Sequence, residues 1–151
     1  MSKKIYTNSV GPAGPTGPQG GQGQLGPTGP TGPAGPGSFD ITIACVNTVN
    51  ISDVVTLSGP GLVNKADASA NFPAVGIVVN KIDPTTAVVR VVGEVNLYLG
   101  LSSGSKYYLS ESSGQITDVA PALSGTVVQV LGVAKDTTTL ILNANSFYAV
   151  N

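Results

Sequence analysis

The chain contains no histidine and no tryptophan, one cysteine, one methionine and only 10% charged residues. The absence of histidine removes the commonest general base and the commonest metal ligand together. Nucleophile systems built on Ser-His or Cys-His pairs fail for the same reason. One cysteine excludes a disulfide framework and a thiolate metal cluster. A net charge of −1 leaves no basic field to hold nucleic acid. No apolar run reaches the ~18 residues that would suggest a membrane-spanning helix. Lys3 and Lys4 look like the start of a signal peptide, but no apolar segment follows them. Synthesis in a cytoplasm without a signal peptide is the expectation.

The remaining chemistry-bearing residues read blandly. Glu94, Glu111 and Asp118 are the candidates for a paired-carboxylate hydrolase, yet eight acids spread over a β surface read as solvated charges. Ser103-Gly104-Ser105-Lys106 lacks the flanking glycine and following helix of a phosphate loop, so it reads as a hairpin turn. Asn50-Ile51-Ser52 is a glycosylation sequon, meaningful only in a secretory compartment. Cys45, within Ile43-Ala44-Cys45-Val46, reads as a small core residue. The expectation is a structural protein with no catalytic residue, no metal and no cofactor.

What the chain does have is unevenly placed glycine and proline. Glycine falls at Gly11, Gly14, Gly17, Gly20, Gly23, Gly26, Gly29, Gly32 and Gly35, nine unbroken Gly-X-Y triplets. Seven of the 11 prolines follow these glycines directly, at Pro12, Pro15, Pro18, Pro27, Pro30, Pro33 and Pro36. Three polyproline II strands wound together leave room at their axis only for hydrogen, which is the physical origin of a three-residue glycine period. Proline pre-sets φ and lowers the entropy cost of extending the chain. A flexible linker needs no such phase and would not keep it through the two proline-free triplets from Gly20 to Leu25. Residues 11–37 therefore predict a collagen-like triple-helical stalk, ~80 Å long at ~3 Å per residue. Three chains follow, and a neighbouring domain is expected to set the homotrimer and its register.

From residue 40 to 151 the pattern changes to short β-branched runs between turn signals. Strands are predicted at 41–46, 51–57, 75–81, 87–92, 95–99, 106–109, 127–134 and 138–142, with a last one at 147–150. Turns are predicted at Gly59-Pro60-Gly61, Asp83-Pro84, Ser102-Ser103-Gly104, Ser112-Ser113-Gly114 and Lys135-Asp136. No 3.6-residue period is present, so the expectation is an all-β sandwich or barrel knob without helix. Val88-Val89-Arg90-Val91-Val92 and Val127-Val128-Gln129-Val130-Leu131 are apolar nearly throughout. Such strands are normally covered on both faces. The second cover is either an internal layer of the sandwich or the other two subunits.

Residues 1–10 belong to neither part. Lys3, Lys4, Ile5 and Tyr6, in three copies, would form a basic and aromatic peg that docks into a larger assembly; the alternative is a disordered tail. The charge is bipolar: residues 1–39 carry +2, while 40–151 carry five basic and eight acidic residues, −3. Tyr98, Tyr107 and Tyr108 lie on consecutive predicted strands and are the candidates for a glycan contact, because tyrosine stacks on sugars and bonds their hydroxyls.

The stalk is similar to collagen-like segments of phage fibres and of spore-surface glycoproteins. Residues 73–142 resemble a domain recurring in phage structural proteins. The resemblance is carried by Pro73-Ala-Val-Gly-Ile-Val-Val, by Gly100-Leu-Ser-Ser-Gly-Ser-Lys-Tyr-Tyr-Leu-Ser and by Gly114-Gln-Ile-Thr. It continues through Ala120-Pro and Ser124-Gly-Thr-Val-Val-Gln-Val-Leu-Gly-Val-Ala to Thr139-Leu-Ile-Leu. It implies a trimeric β-rich module on a virion surface, anchored in a capsid or tail protein through residues 1–10, with no enzymatic residues to carry over. Tail receptor-binding fibres are usually longer, with a sizeable N-terminal domain, so a head fibre is the expectation and a tail fibre the alternative. A bacterial or spore-surface collagen is the other alternative; the targeting prefix and C-terminal sequence of that family are not found.

Overall fold

The computed structural model describes residues 11–23, 37–144 and 148–151. The chain divides into two units, 1–32 and 33–151. In the first unit, residues 11–23 form neither helix nor strand, and every one is exposed. A Cβ placed on Gly11, Gly14, Gly17, Gly20 or Gly23 would meet nothing within 4 Å. In a triple helix the crowding at these positions comes from the other two chains, so openness within one chain is compatible with it. Gly26, Gly29, Gly32 and Gly35 lie outside the described residues, as do Lys3, Lys4, Ile5 and Tyr6.

The second unit is all-β, with no helix among the described residues. Its strands are β1 (Phe39–Cys45), β2 (Val54–Gly59), β3 (Leu62–Lys65), β4 (Gly76–Asp83), β5 (Thr86–Val95), β6 (Lys106–Leu109), β7 (Ile116–Thr117), β8 (Val127–Ala134), β9 (Leu140–Asn143) and β10 (Tyr148–Val150). The first five close into a barrel in the order β1-β3-β2-β4-β5, with β5 pairing back onto β1. All contacts around it are antiparallel except β1 with β3. From β5 the sheet runs on through β9, β8, β6 and β7, and β10 pairs with β8.

Side-chain alternation on shared strands builds two cores. Val55 and Val78 point into the barrel, while their neighbours Val54 and Ile77 belong to a second core between the barrel wall and the β6-β8-β9 sheet. The buried residues of the barrel are Cys45, Val49, Val55, Val63, Val78, Ala87 and Val89, none larger than valine, as a narrow five-strand interior requires. The second core takes the larger side chains Tyr107, Leu109, Leu131, Leu140 and Leu142. Closure is reinforced where β1 meets β5. Asp40 and Arg90 are register partners, and Nε and Nη2 of Arg90 donate to the two carboxylate oxygens at 2.7 Å. This bidentate bond raises the guanidinium pKa above its ordinary value.

The predicted strands 106–109 and 127–134 have the observed bounds, and every predicted turn separates elements. Two expectations need correction. Residues 87–92 and 95–99 are not two strands: β5 runs unbroken through Gly93 and stops at Val95. Gly93 permits this with φ +120 and no side chain, since a Cβ there would sit 2.6 Å from the Cα of Ser38. Two short strands, β3 and β7, were not predicted. In the single chain the run 127–131 is fully buried on one face only, which leaves cover by the other two subunits open. In β8, Val127, Gln129 and Leu131 face inward, whereas Val128 and Val130 stay half-buried and Val133 is exposed.

One polar residue in that run is structural. Gln129 is 1% exposed; its Oε1 accepts from Ala74 N at 2.6 Å, and its Nε2 donates to the carbonyls of Ala74 and Ala144, both at 2.9 Å. It satisfies three buried backbone groups from two segments that no ladder joins there.

Candidate functional site

The second unit has a cleft of about 490 Å³ beside β2 and β3. Its wall on one side is Thr56, Leu57 and Ser58 of β2 with Asn64 and Lys65 of β3; the other side is the turn from Asp67 to Phe72. Asp67 organises that turn: its Oδ1 accepts from Ser69 N at 2.9 Å and from Ser69 Oγ at 2.6 Å, and Phe72 N donates to its carbonyl at 3.2 Å. Asn71 sits at φ +59, a left-handed conformation that asparagine tolerates better than most residues. The result turns the ring of Phe72 outward, 53% exposed, with Leu57 at 54% on the same cleft. Ala68 N donates to Ser110 O at 3.0 Å and Val127 N to Ala68 O at 2.9 Å, so the turn is tied to the second sheet.

The cleft's one cation is anchored from below. Lys65 Nζ lies 3.0 Å from Oδ2 of Asp53, a buried carboxylate that also accepts from Asn50 N at 2.7 Å. Gly114, at φ +77, covers this pair: a Cβ there would lie 3.0 Å from Asp53 Oδ1 and 3.1 Å from Lys65 Cδ. An aromatic face beside hydroxyls, an amide and an ammonium is the chemistry that sugars are bound by, ring on C–H face and polar groups on hydroxyls.

The tyrosines do not assemble into such a face. Tyr107 is buried and its hydroxyl accepts from Ser102 N at 3.0 Å. Tyr98 packs against the same core, and its hydroxyl donates to Ser52 O at 3.2 Å. Burial, and secondarily the charge of Asp53, push the Tyr98 pKa far above the ordinary phenol value. Tyr108 stands on the opposite face of β6, half-buried and paired with Thr117. Two of the three hydroxyls are thus committed within the chain, and Tyr107 and Tyr108, adjacent on β6, point to opposite faces as the alternation of a strand requires. Nothing in the sequence singled out Phe72; the only signal was an aromatic between Asn71 and Pro73, a turn context.

Among the acids, Glu94 pairs with Lys135 at 2.7 Å on the exposed side of β5, and Glu111 borders a second cleft with Pro121 and Leu123. Among the described residues no group of three His, Cys, Asp or Glu is placed to hold a metal ion. Cys45 is buried in the barrel, with Lys81 Nζ 3.0 Å from its sulfur. No described helix is long and apolar enough to cross a membrane. No family model, no curated protein and no solved structure matches the chain.

Proposed function

We propose that the protein is a homotrimeric fibre of a bacteriophage particle. Residues 11–37 of three chains wind into a collagen-like rod, residues 40–151 form β-knobs at its tip, and Lys3, Lys4, Ile5 and Tyr6 anchor the base in a capsid protein. The observation that carries this reading is the unbroken run of nine Gly-X-Y triplets, whose only physical rationale is a three-chain axis. Assignment to a virion rests on the likeness of residues 73–142 to a phage structural domain. The all-β architecture of the second unit agrees with that likeness.

The rod holds the knobs away from the particle, and three knobs on one rod multiply weak contacts with a host surface by avidity. Within each knob the Phe72 cleft, rather than the tyrosines, is the face offered to a host-surface glycan. Immunogold electron microscopy of virions, with an antibody against residues 40–151, tests the assignment. Label standing off the capsid is expected. Label confined to the tail makes the protein a tail fibre, and particles without label overturn the virion reading.

A further inference from the structure

The outer face of the second sheet carries a consistent pattern. One row crosses four neighbouring strands: Lys106 on β6 pairs with Val133 on β8, Val133 with Ile141 on β9, and Ile141 with Glu94 on β5. All four residues are exposed, Val133 at 38% and Ile141 at 48%. The half-buried Val128 and Val130 extend the same face along β8. The centre of this face is apolar; Lys106 stands on one flank, and on the other Glu94 is ion-paired through Oε1 with Lys135 of its own chain at 2.7 Å.

We propose that this face is where the knobs of three copies of this chain pack on one another, with Lys106 of each copy opposite Glu94 of the next. The inference rests on the trimer reading above and locates its interface. Three arguments select a further copy of the chain as the occupant. The triplet repeat demands three chains, which holds three knobs at high local concentration. A three-fold arrangement is heterologous: one flank of each copy meets the opposite flank of its neighbour, which brings Lys106 of one copy to the Glu94 carboxylate oxygen that Lys135 does not bond. The valines and isoleucine supply the apolar centre that a stable subunit contact needs between polar rims.

The test uses the full chain. Wild type and Val133→Asp/Ile141→Asp are compared by sedimentation equilibrium, with far-ultraviolet circular dichroism reporting the β fold. The wild type is expected at the mass of three chains. The variant, its β spectrum unchanged, is expected to dissociate at a concentration about tenfold or more above that of the wild type. A variant as resistant to dilution as the wild type overturns this face as the interface and leaves the trimer standing. A wild type at the mass of one chain overturns the trimer, and this inference with it.

Should the double variant lose its β spectrum, wild-type protein decides the matter. Isotope-labelled and unlabelled chains are refolded together and coupled with a carbodiimide. Lys106–Glu94 peptides joining labelled to unlabelled chains are expected. Coupling of Glu94 only to Lys135 of its own chain contradicts the proposal.

Discussion

Glycine serves opposite purposes in the two units of this chain. At Gly11, Gly14, Gly17, Gly20 and Gly23 a methyl group would meet nothing from its own chain. At three glycines of the second unit it would collide at once: at Gly76 with the Arg90 carbonyl at 2.5 Å, at Gly93 with Ser38, and at Gly132 with the Ile141 carbonyl across the β8–β9 pair. Those three glycines are required by their own chain, whereas nothing in that chain requires the five triplet glycines. On the proposed trimer, their period is set by the neighbouring chains.

Substitutions in the knob separate the two cases most sharply. Gln129→Leu leaves Ala74 N, Ala74 O and Ala144 O buried without their partner. It is expected to cost about 3 kcal/mol or more, read as a lower midpoint of denaturant unfolding. Gly132→Ala places its methyl against the Ile141 carbonyl and parts β8 from β9, at about 1–3 kcal/mol by the same measurement. Neither change should alter the melting of the triple-helical rod while the knob is still folded.

Gly17→Ala is the converse. It should lower the melting of the rod and leave the knob's unfolding midpoint within about 0.5 kcal/mol of wild type, since nothing in the chain touches that position. An unchanged rod transition would count against the triple helix. Scanning calorimetry resolves the two transitions.

The smallest expected effect is a pH dependence confined to the knob. The pKa of Tyr98 is raised by burial above its ordinary value of 10.0. The unfolded chain therefore ionises first, and the stability held in the neutral phenol is complete below that value and lost progressively as pH rises above it. Tyr98→Phe should flatten this alkaline loss while leaving the midpoint near neutral pH within about 1 kcal/mol. An unchanged alkaline slope would place the titration elsewhere.

The sequence was most legible where local rules suffice. Turn chemistry placed the breaks: Asp83 accepts from Thr85 N at 2.8 Å, and Asp136 accepts from Thr138 N and Thr139 N at 2.8 Å, both as their residue types predict. Alternating and β-branched runs placed β6 and β8. Strand β3 escaped because Asn64 and Lys65 make half of its four residues, and its pairing comes from β1 and β2 rather than from propensity. Barrel closure was not legible, since β1 and β5 pair across some fifty positions of sequence, as at Asp40 and Arg90. Gln129 lies in a run that reads as apolar nearly throughout, and its role as the polar clamp of the second core comes from backbone groups distant in sequence. The Phe72 cleft depends on three separate segments meeting, which no local pattern reports.

The central claim is that this chain works as one of three. Sedimentation equilibrium of the 151-residue chain below the melting temperature of the proposed rod tests that most directly. The account predicts a mass of three times the 15.1 kDa chain, maintained on dilution. A mass of one chain at every concentration, with the β fold intact, would contradict it.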